Sequence, residues 1–315
     1  MRFPETLEKR PCKICGTASE KDFNLKYKLE NCEIVQCRRC GFVFVPSAWR
    51  RNLSYTAYKT EATAREVRKG NNALKLERHK LRLRCIKKFK AKGRLLDVGS
   101  GWGHFLLAAR NMGYDVLGVE LDSAPYQYSV KDLGLPVLQK DFFEFSAEEK
   151  FDVITMWDVL EHIDDPGGFV RQCARLQNPG SVLVLQVPQI DSCVARCMGK
   201  NWKMLGLDHV NYFSPQTLKK LLENNGYEVL KVRSSLELKL LLMYTIYPAI
   251  KKFKAYFKRQ NLSPVDNTAR QAFFNKITQR PSWQIKFLIF LHNGIYNFLS
   301  FLKIGEEMMV VARRR

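Results

Sequence analysis

The chain has 315 residues, 46% of them apolar, and 52 Lys and Arg against 31 Asp and Glu give it a formal net charge of +21. That length and apolar share exclude a disordered or collagen-like chain and leave room for one large domain with a small appendage. The charge is uneven, at +3 over residues 1–49, +13 over 50–94, −5 over 95–233 and +10 over 234–315, which excludes a centre built to grip polyanions and assigns anion contact to the periphery.

The start, MRFPETLEKR, lacks the pattern of a leader, and a cytoplasmic protein with reduced thiols is expected. Five of the nine cysteines fall within the first 40 residues, and Cys12-Lys-Ile-Cys15-Gly and Cys37-Arg-Arg-Cys40-Gly form two CxxCG units. Glycine permits the tight turn of each knuckle, and Cys12, Cys15, Cys37 and Cys40 supply the four thiolates of a closed, structural zinc ribbon over residues 1–49. Cys32 fits no knuckle and is taken as a bystander. Residues 50–93 form a basic linker or lid, helical over about 61–92, with Leu74, Leu81, Cys85 and Phe89 on one face. Its basic face either lies solvated on the next domain or meets a polyanion.

From residue 94 strand-like and helical runs alternate. Strands are expected at 94–98, 115–119, 137–139, 151–156, 181–187, 227–233 and 307–313, and helices from about His104 and over 124–133, 168–176 and 215–225. Alternation of this kind predicts a doubly wound, mostly parallel, Rossmann-like α/β sheet. The first strand runs into Asp97-Val-Gly99-Ser-Gly101-Trp-Gly103-His, a glycine turn that opens a helix and lets backbone approach a ligand. A dinucleotide fingerprint would need glycine at 104 or 106, where His and Leu stand. An acid at the strand end suits a cationic amino group, and Glu120, closing the next strand, can accept two ribose hydroxyls.

The D-x-G-x-G-x-G spacing resembles the first motif of the class I S-adenosylmethionine-dependent methyltransferases. The likeness runs from about residue 94 to 233, with 307–313 as the last strand of a seven-stranded sheet in a methyltransferase domain spanning 94–315. It implies that S-adenosylmethionine lies against Asp97, Gly99, Gly101, Gly103 and Glu120. It further implies Asp141 toward the adenine amine, Phe142 against the adenine ring, and Trp157 and Asp158 lining the methyl-transfer pocket. Tyr55 and Tyr58 fall where related enzymes carry a tyrosine lid.

Asp158-Val-Leu-Glu161-His162 places two carboxylates and an imidazole at i, i+3 and i+4 of a helical turn. Quinone-biosynthetic O-methyltransferases are similar here, which implies a divalent cation at Asp158, Glu161 and His162 that activates a phenol. Alternatively, Glu161 and His162 hydrogen-bond the fold in place. The stretch from Gly206 to Pro215 resembles a loop of glycan-pathway and secondary-metabolite methyltransferases, which makes His209 a candidate general base. The competing assignment is a helix-capping loop, with Ser214 as N-cap and Pro215 at the first helical position. Cys193 and Cys197 lack neighbouring ligands and are expected to pack.

An insertion over 236–304 precedes the last strand. Its apolar runs, 240–250 and 287–302, are shorter than the roughly 20 residues of a spanning helix. With Lys251, Lys252, Lys254, Lys258 and Arg259 nearby, they suit an anionic membrane surface at the inner face, while a packed lid or dimer interface explains the apolar part equally well. The expected function is methyl transfer to a small-molecule, sugar-nucleotide or lipid-linked acceptor. An RNA methyltransferase using the basic segments as grip and a non-catalytic zinc-ribbon interaction protein are the alternatives.

Overall fold

A computed structural model describes residues 11–29, 32–46, 73–205, 208–235 and 305–315. Tyr55, Tyr58, the first part of the basic helix and the whole insertion, with its Lys251–Arg259 cluster, lie outside the described residues.

The first unit is a small antiparallel sheet of β1 (Phe23–Lys28), β2 (Glu33–Cys37) and β3 (Val43–Phe44), extended by a distant fourth strand, β9 (Asn211–Tyr212). Gly16 and Gly41 turn the two knuckles with φ of 72° and 78°, and each donates its N–H to the carbonyl of the first knuckle cysteine at 2.8 Å. Cys32, treated as a bystander in the sequence, is buried beside Ile34 and Val43 rather than with the other thiols.

Helix α1 (Ala73–Lys87) leads into the large sheet. Leu83 and Ile86 are fully buried against α2 (His104–Asn111), and the His79 ring meets Phe105 edge-on at 5.7 Å. The described part of the basic helix therefore docks one face on the domain.

The large sheet holds β4 (Arg94–Val98), β5 (Asp115–Glu120), β6 (Val137–Gln139), β7 (Val153–Trp157), β8 (Val182–Pro188), β10 (Tyr227–Ser235) and β11 (Glu307–Arg314). Their order is β10-β11-β8-β7-β4-β5-β6, and the count of seven strands is the one the methyltransferase resemblance implies. The five strands β8, β7, β4, β5 and β6 are parallel, while β11 runs antiparallel between β8 and β10. Every residue of β8, Val-Leu-Val-Leu-Gln-Val-Pro, is buried, as expected for a parallel strand covered on both faces. Helices α3 (Ser123–Lys131), α4 (Pro166–Arg175), α5 (Cys193–Met198) and α6 (Pro215–Asn224) complete the layers. Ser214 and Thr217 form a capping box ahead of Pro215. Cys193 and Cys197 correct an expectation, for both are exposed: α5 has only six residues and buries Ala195 alone.

Strand order reverses between β4 and β7, so the crevice where doubly wound folds bind ligands opens at their C-terminal ends. Ser235 pairs with Glu307, and Glu307 with Pro188 at the end of β8, so both ends of the insertion stand on this same edge.

Candidate active site

The glycine turn follows β4 directly, and Gly99, Gly101 and Gly103 all have positive φ, between 53° and 70°. Their surroundings differ. A side chain at Gly99 would strike Val159 at 2.7 Å, and one at Gly103 would strike Leu135 and Ser129 at the same distance. At Gly101 it would enter open space, which leaves a backbone cradle that only glycine keeps clear. Glu120, almost wholly buried, braces the turn: one carboxylate oxygen accepts from Gly101 N–H at 2.6 Å and the other from Asp122 N–H at 2.9 Å. A carboxylate offers about four lone-pair sites, so these two bonds do not exhaust it.

Asp97 ends β4 buried, accepting from the Thr155 hydroxyl at 2.6 Å. Burial pushes its carboxyl up to about 7; the Thr155 bond and Arg82 oppose the rise, and Glu120 adds to it. A cationic group placed nearby would restore the ionised form. Cradle, ribose acceptor and buried acid together fit S-adenosylmethionine.

After β6 the structure separates two neighbouring phenylalanines. Asp141 is exposed and accepts from Phe143 N–H, starting a short 3₁₀ turn over Phe142–Glu144. That turn packs Phe142, 5% exposed, into the core against Phe145 and Phe169. Phe143, 47% exposed, is the ring that stands out, and Leu121, 57% exposed, follows Glu120 on the neighbouring strand end. Neither was singled out in the sequence, where an acid followed by two phenylalanines does not say which ring turns outward.

The acceptor side is built on the turn after β7. Asp158 has φ of 58°, a left-handed conformation rare without glycine, and the following 3₁₀ turn covers only Leu160–His162. Asp158 therefore leaves the face predicted for it. Its carboxylate accepts from Gln186 Nε2 at 3.1 Å, and the same nitrogen donates to Glu307 at 2.6 Å. Arg82 of α1 donates to Gln186 Oε1 at 2.7 Å while its guanidinium lies 4.2 Å from the centre of the Trp157 ring. Sequence reasoning missed Arg82 and Gln186, because nothing local distinguishes one arginine in a basic helix.

Glu161 and His162 converge instead with His209. One ligand atom from each lies within 4.8 Å of the others, and the two imidazole rings are 4.8 Å apart. Glu161 is wholly buried, and neither carboxylate oxygen has a hydrogen-bond partner among the described residues. Burial, then the charges of Asp158, Glu307 and Asp208, raise its carboxyl well above the usual range. His162 Nδ1 lies 2.9 Å from the Asp208 carbonyl and His209 Nδ1 2.9 Å from the Met204 carbonyl. A carbonyl only accepts, so both Nδ1 atoms donate and each ring is left with Nε2 as its possible ligand atom. Burial, then His162, lower His209 to about 4, so its ring is neutral at pH 7. A carboxyl group and two imidazoles oriented by backbone carbonyls are a donor set that fits a divalent cation, the Nδ1 partners acting as outer-shell supports.

In the ribbon, Cys12 and Cys40 sulfurs lie 3.5 Å apart and Cys15 and Cys37 sulfurs 3.6 Å, with all four inside 4.8 Å. Tetrahedral zinc with bonds of about 2.3 Å sets its sulfurs roughly 3.8 Å apart, so the thiols fit that ion. Open cavities of about 300 and 390 Å³ lie elsewhere, at the seam between ribbon and domain and beside Arg171, Asn224 and Arg314. The chemistry, not the hollows, marks the site.

A family model described as "Methyltransferase domain" matches residues 68–232. The ubiquinone biosynthesis O-methyltransferase of Stutzerimonas stutzeri is 33% identical over 94 residues, covering 28% of this chain and 40% of that protein. The Escherichia coli protein of the same name is 28% identical over 132 residues, covering 39% and 52%. The chain thus spans about half, or less, of the length of these curated relatives. Among solved structures, a SAM-dependent methyltransferase from Archaeoglobus fulgidus aligns over 76% of this chain and 94% of its own, with TM-score 0.48 and 19% identity. The sugar N-methyltransferase KedS8 from a Streptoalloteichus species aligns over 34% and 46%, with TM-score 0.32 and 27% identity.

Proposed function

Because the chain belongs to the methyltransferase-domain family, whose model covers just over half of its length, we propose that it moves a methyl group from S-adenosylmethionine to a small-molecule hydroxyl. The hydroxyl would sit beside Glu161, His162 and His209. When bound, S-adenosylmethionine supplies an electrophilic methyl on a sulfonium, so the chain has only to orient the partners, exclude water and receive a proton.

One observation carries the reading. Val159, two residues before Glu161, packs into the space left by the missing side chain of Gly99. The turn bearing the acceptor-side groups is thereby seated on the turn that cradles the cofactor. Gly99, Gly101 and Gly103 receive the cofactor, Glu120 takes its ribose, Asp97 faces its ammonium group, and Leu121 and Phe143 flank its base. Asp158, tied to Gln186, shapes the floor of the transfer pocket. His209 Nε2 is the proton acceptor, and the Met204 carbonyl fixes its direction.

In place of that base role, Glu161, His162 and His209 would hold a divalent cation, replacing the expected set with Asp158; His209 Nε2 would then be a ligand rather than the proton acceptor. Such an ion would neutralise Glu161 and lower the pKa of a hydroxyl bound to it. Ubiquinone biosynthesis O-methyltransferases are named for O-methylation, which supports a hydroxyl on a small organic acceptor. The four ribbon thiolates would hold a structural zinc, since a closed shell leaves no position for substrate.

Calorimetry with S-adenosylmethionine tests the reading. Gly101→Val fills the open cradle and is expected to weaken binding by at least about tenfold, roughly 1.4 kcal/mol. Glu120→Ala, which removes the ribose acceptor, should weaken it similarly. Equal affinity for wild type and Gly101→Val would refute the assignment.

A further inference from the structure

The ribbon and the acceptor side are joined by a continuous run of backbone hydrogen bonds. The second knuckle closes with Gly41 N–H on the Cys37 carbonyl, and Cys37 N–H then donates to Phe42 at 2.8 Å. The next two residues, Val43 and Phe44, form β3, which pairs on one side with β2 and on the other with Tyr212 and Asn211 of β9. Val45 N–H donates to Val210 at 2.9 Å, and Val210 N–H donates in turn to the Glu161 carbonyl at 2.8 Å. Metal knuckle and Glu161 are thus separated by two strands of two residues each.

Asn211 secures the far end. Its side chain is wholly buried, and Nδ2 donates to Leu160 at 3.0 Å and to Ile163 at 2.6 Å, the carbonyls on either side of Glu161 and His162. Tyr212 donates its hydroxyl to the His209 carbonyl at 2.9 Å. The Phe42 and Phe213 rings, 5.3 Å apart, pack knuckle and β9 together. Two-residue strands have almost no stability of their own, so β9 depends on its neighbours, which are β3 on one side and, next to it at Phe213, the bridge to Gln189 with the Ile190 N–H bond of 3.0 Å.

We propose that the metal-closed ribbon is a positioning element of the acceptor site, and that Asn211 is the positioning residue through which it acts. With the knuckle closed, β3 fixes β9, and β9 and Asn211 fix the backbone carrying Glu161, His162 and His209. Opening the knuckle releases that turn and scatters the three groups. Although Val159 packs beside Gly99, the glycine turn is held by bonds outside the released turn, Gly101 to Glu120 and Gly99 to Val119, and keeps its geometry. The inference rests on the reading of Glu161, His162 and His209 as the acceptor-side groups, but its test does not need the acceptor.

Hydrogen exchange read by mass spectrometry on the full chain, with S-adenosylmethionine affinity measured in parallel, tests it. Three states are compared: zinc-loaded wild type, wild type stripped by a chelator, and zinc-loaded Asn211→Leu, which keeps the volume and removes the donor. Peptides over 158–164 and 208–214 should exchange about tenfold faster in the second and third states, while the 95–105 peptide and cofactor affinity stay within about twofold. Wild-type protection of 158–164 after zinc loss would overturn the proposal, because the ribbon would then be an independent module. Equal loosening of the 95–105 peptide would also overturn it, because the ribbon would then only support the common core. Failure of the zinc-loaded wild type to bind S-adenosylmethionine would refute the functional reading and leave the coupling to be decided by the exchange data alone.

Discussion

At the scale of single residues, burial decides which of several similar side chains can act. Asp97 is the clearest case, since its carboxyl titrates near 7 rather than at 3.8 because it is out of water. A cationic cofactor binds the ionised form, so affinity should rise as pH increases through about 7, with up to about a tenfold loss for each unit below it. Asp97→Asn should flatten that profile; a wild-type affinity constant between pH 5.5 and 8 would contradict the role. The same raised value means that, without a ligand, this group disfavours the folded state progressively as pH rises from about 4 to 7. Phe142 and Phe143 separate core from site in the same way. Phe142→Ala should cost about 3–5 kcal/mol in urea denaturation, as for any large core aromatic. Phe143→Ala should stay within about 0.5 kcal/mol and instead weaken cofactor binding. The reverse pattern would support Phe142 as the ring against adenine.

At the scale of elements, local patterns were legible in the sequence and distant pairings were not. The strand into Gly99, Gly101 and Gly103 announces itself because one continuous segment supplies both the hydrophobic run and the turn. The knuckles are equally plain, since cysteine and glycine spacing is itself the structure. We expect about one zinc per chain by metal analysis, lost in Cys12→Ser or Cys40→Ser together with the ribbon fold; zinc-free protein from an unchelated preparation would contradict this. By contrast, β3 and β9 are two residues long and more than 160 residues apart, so no periodicity could have paired them. Asp158 was placed with Glu161 and His162 on the assumption of a regular helical turn. Its left-handed backbone breaks that turn, and His209 arrives from another loop to take its place. His209 itself was visible only through resemblance, because a lone histidine carries no pattern.

At the scale of the molecule, the placement of charge and of the insertion's ends belong together. The central segment, residues 95–233, is net negative, while 234–315 carries +10. Both ends of the insertion stand on the sheet edge that holds the site, where Glu307 accepts from Gln186. Among the described residues no helix is long and apolar enough to cross a membrane. The charge partition predicts retention on vesicles of acidic lipid that falls between 0.1 M and 1 M salt, as the screening length shrinks from about 10 Å to about 3 Å. Changing Lys251, Lys252, Lys254 and Lys258 together to Glu should abolish it, and equal retention on neutral vesicles would rule out an electrostatic origin. The account as a whole stands on one geometric claim, that a methyl donor lies along the glycine turn with its sulfur facing Glu161, His162 and His209. A crystal structure with bound S-adenosylhomocysteine tests this most directly. It should place the ribose on Glu120, the amino group near Asp97 and the thioether toward His209. A ligand lodged elsewhere, or one whose sulfur faces away from that cluster, would contradict it.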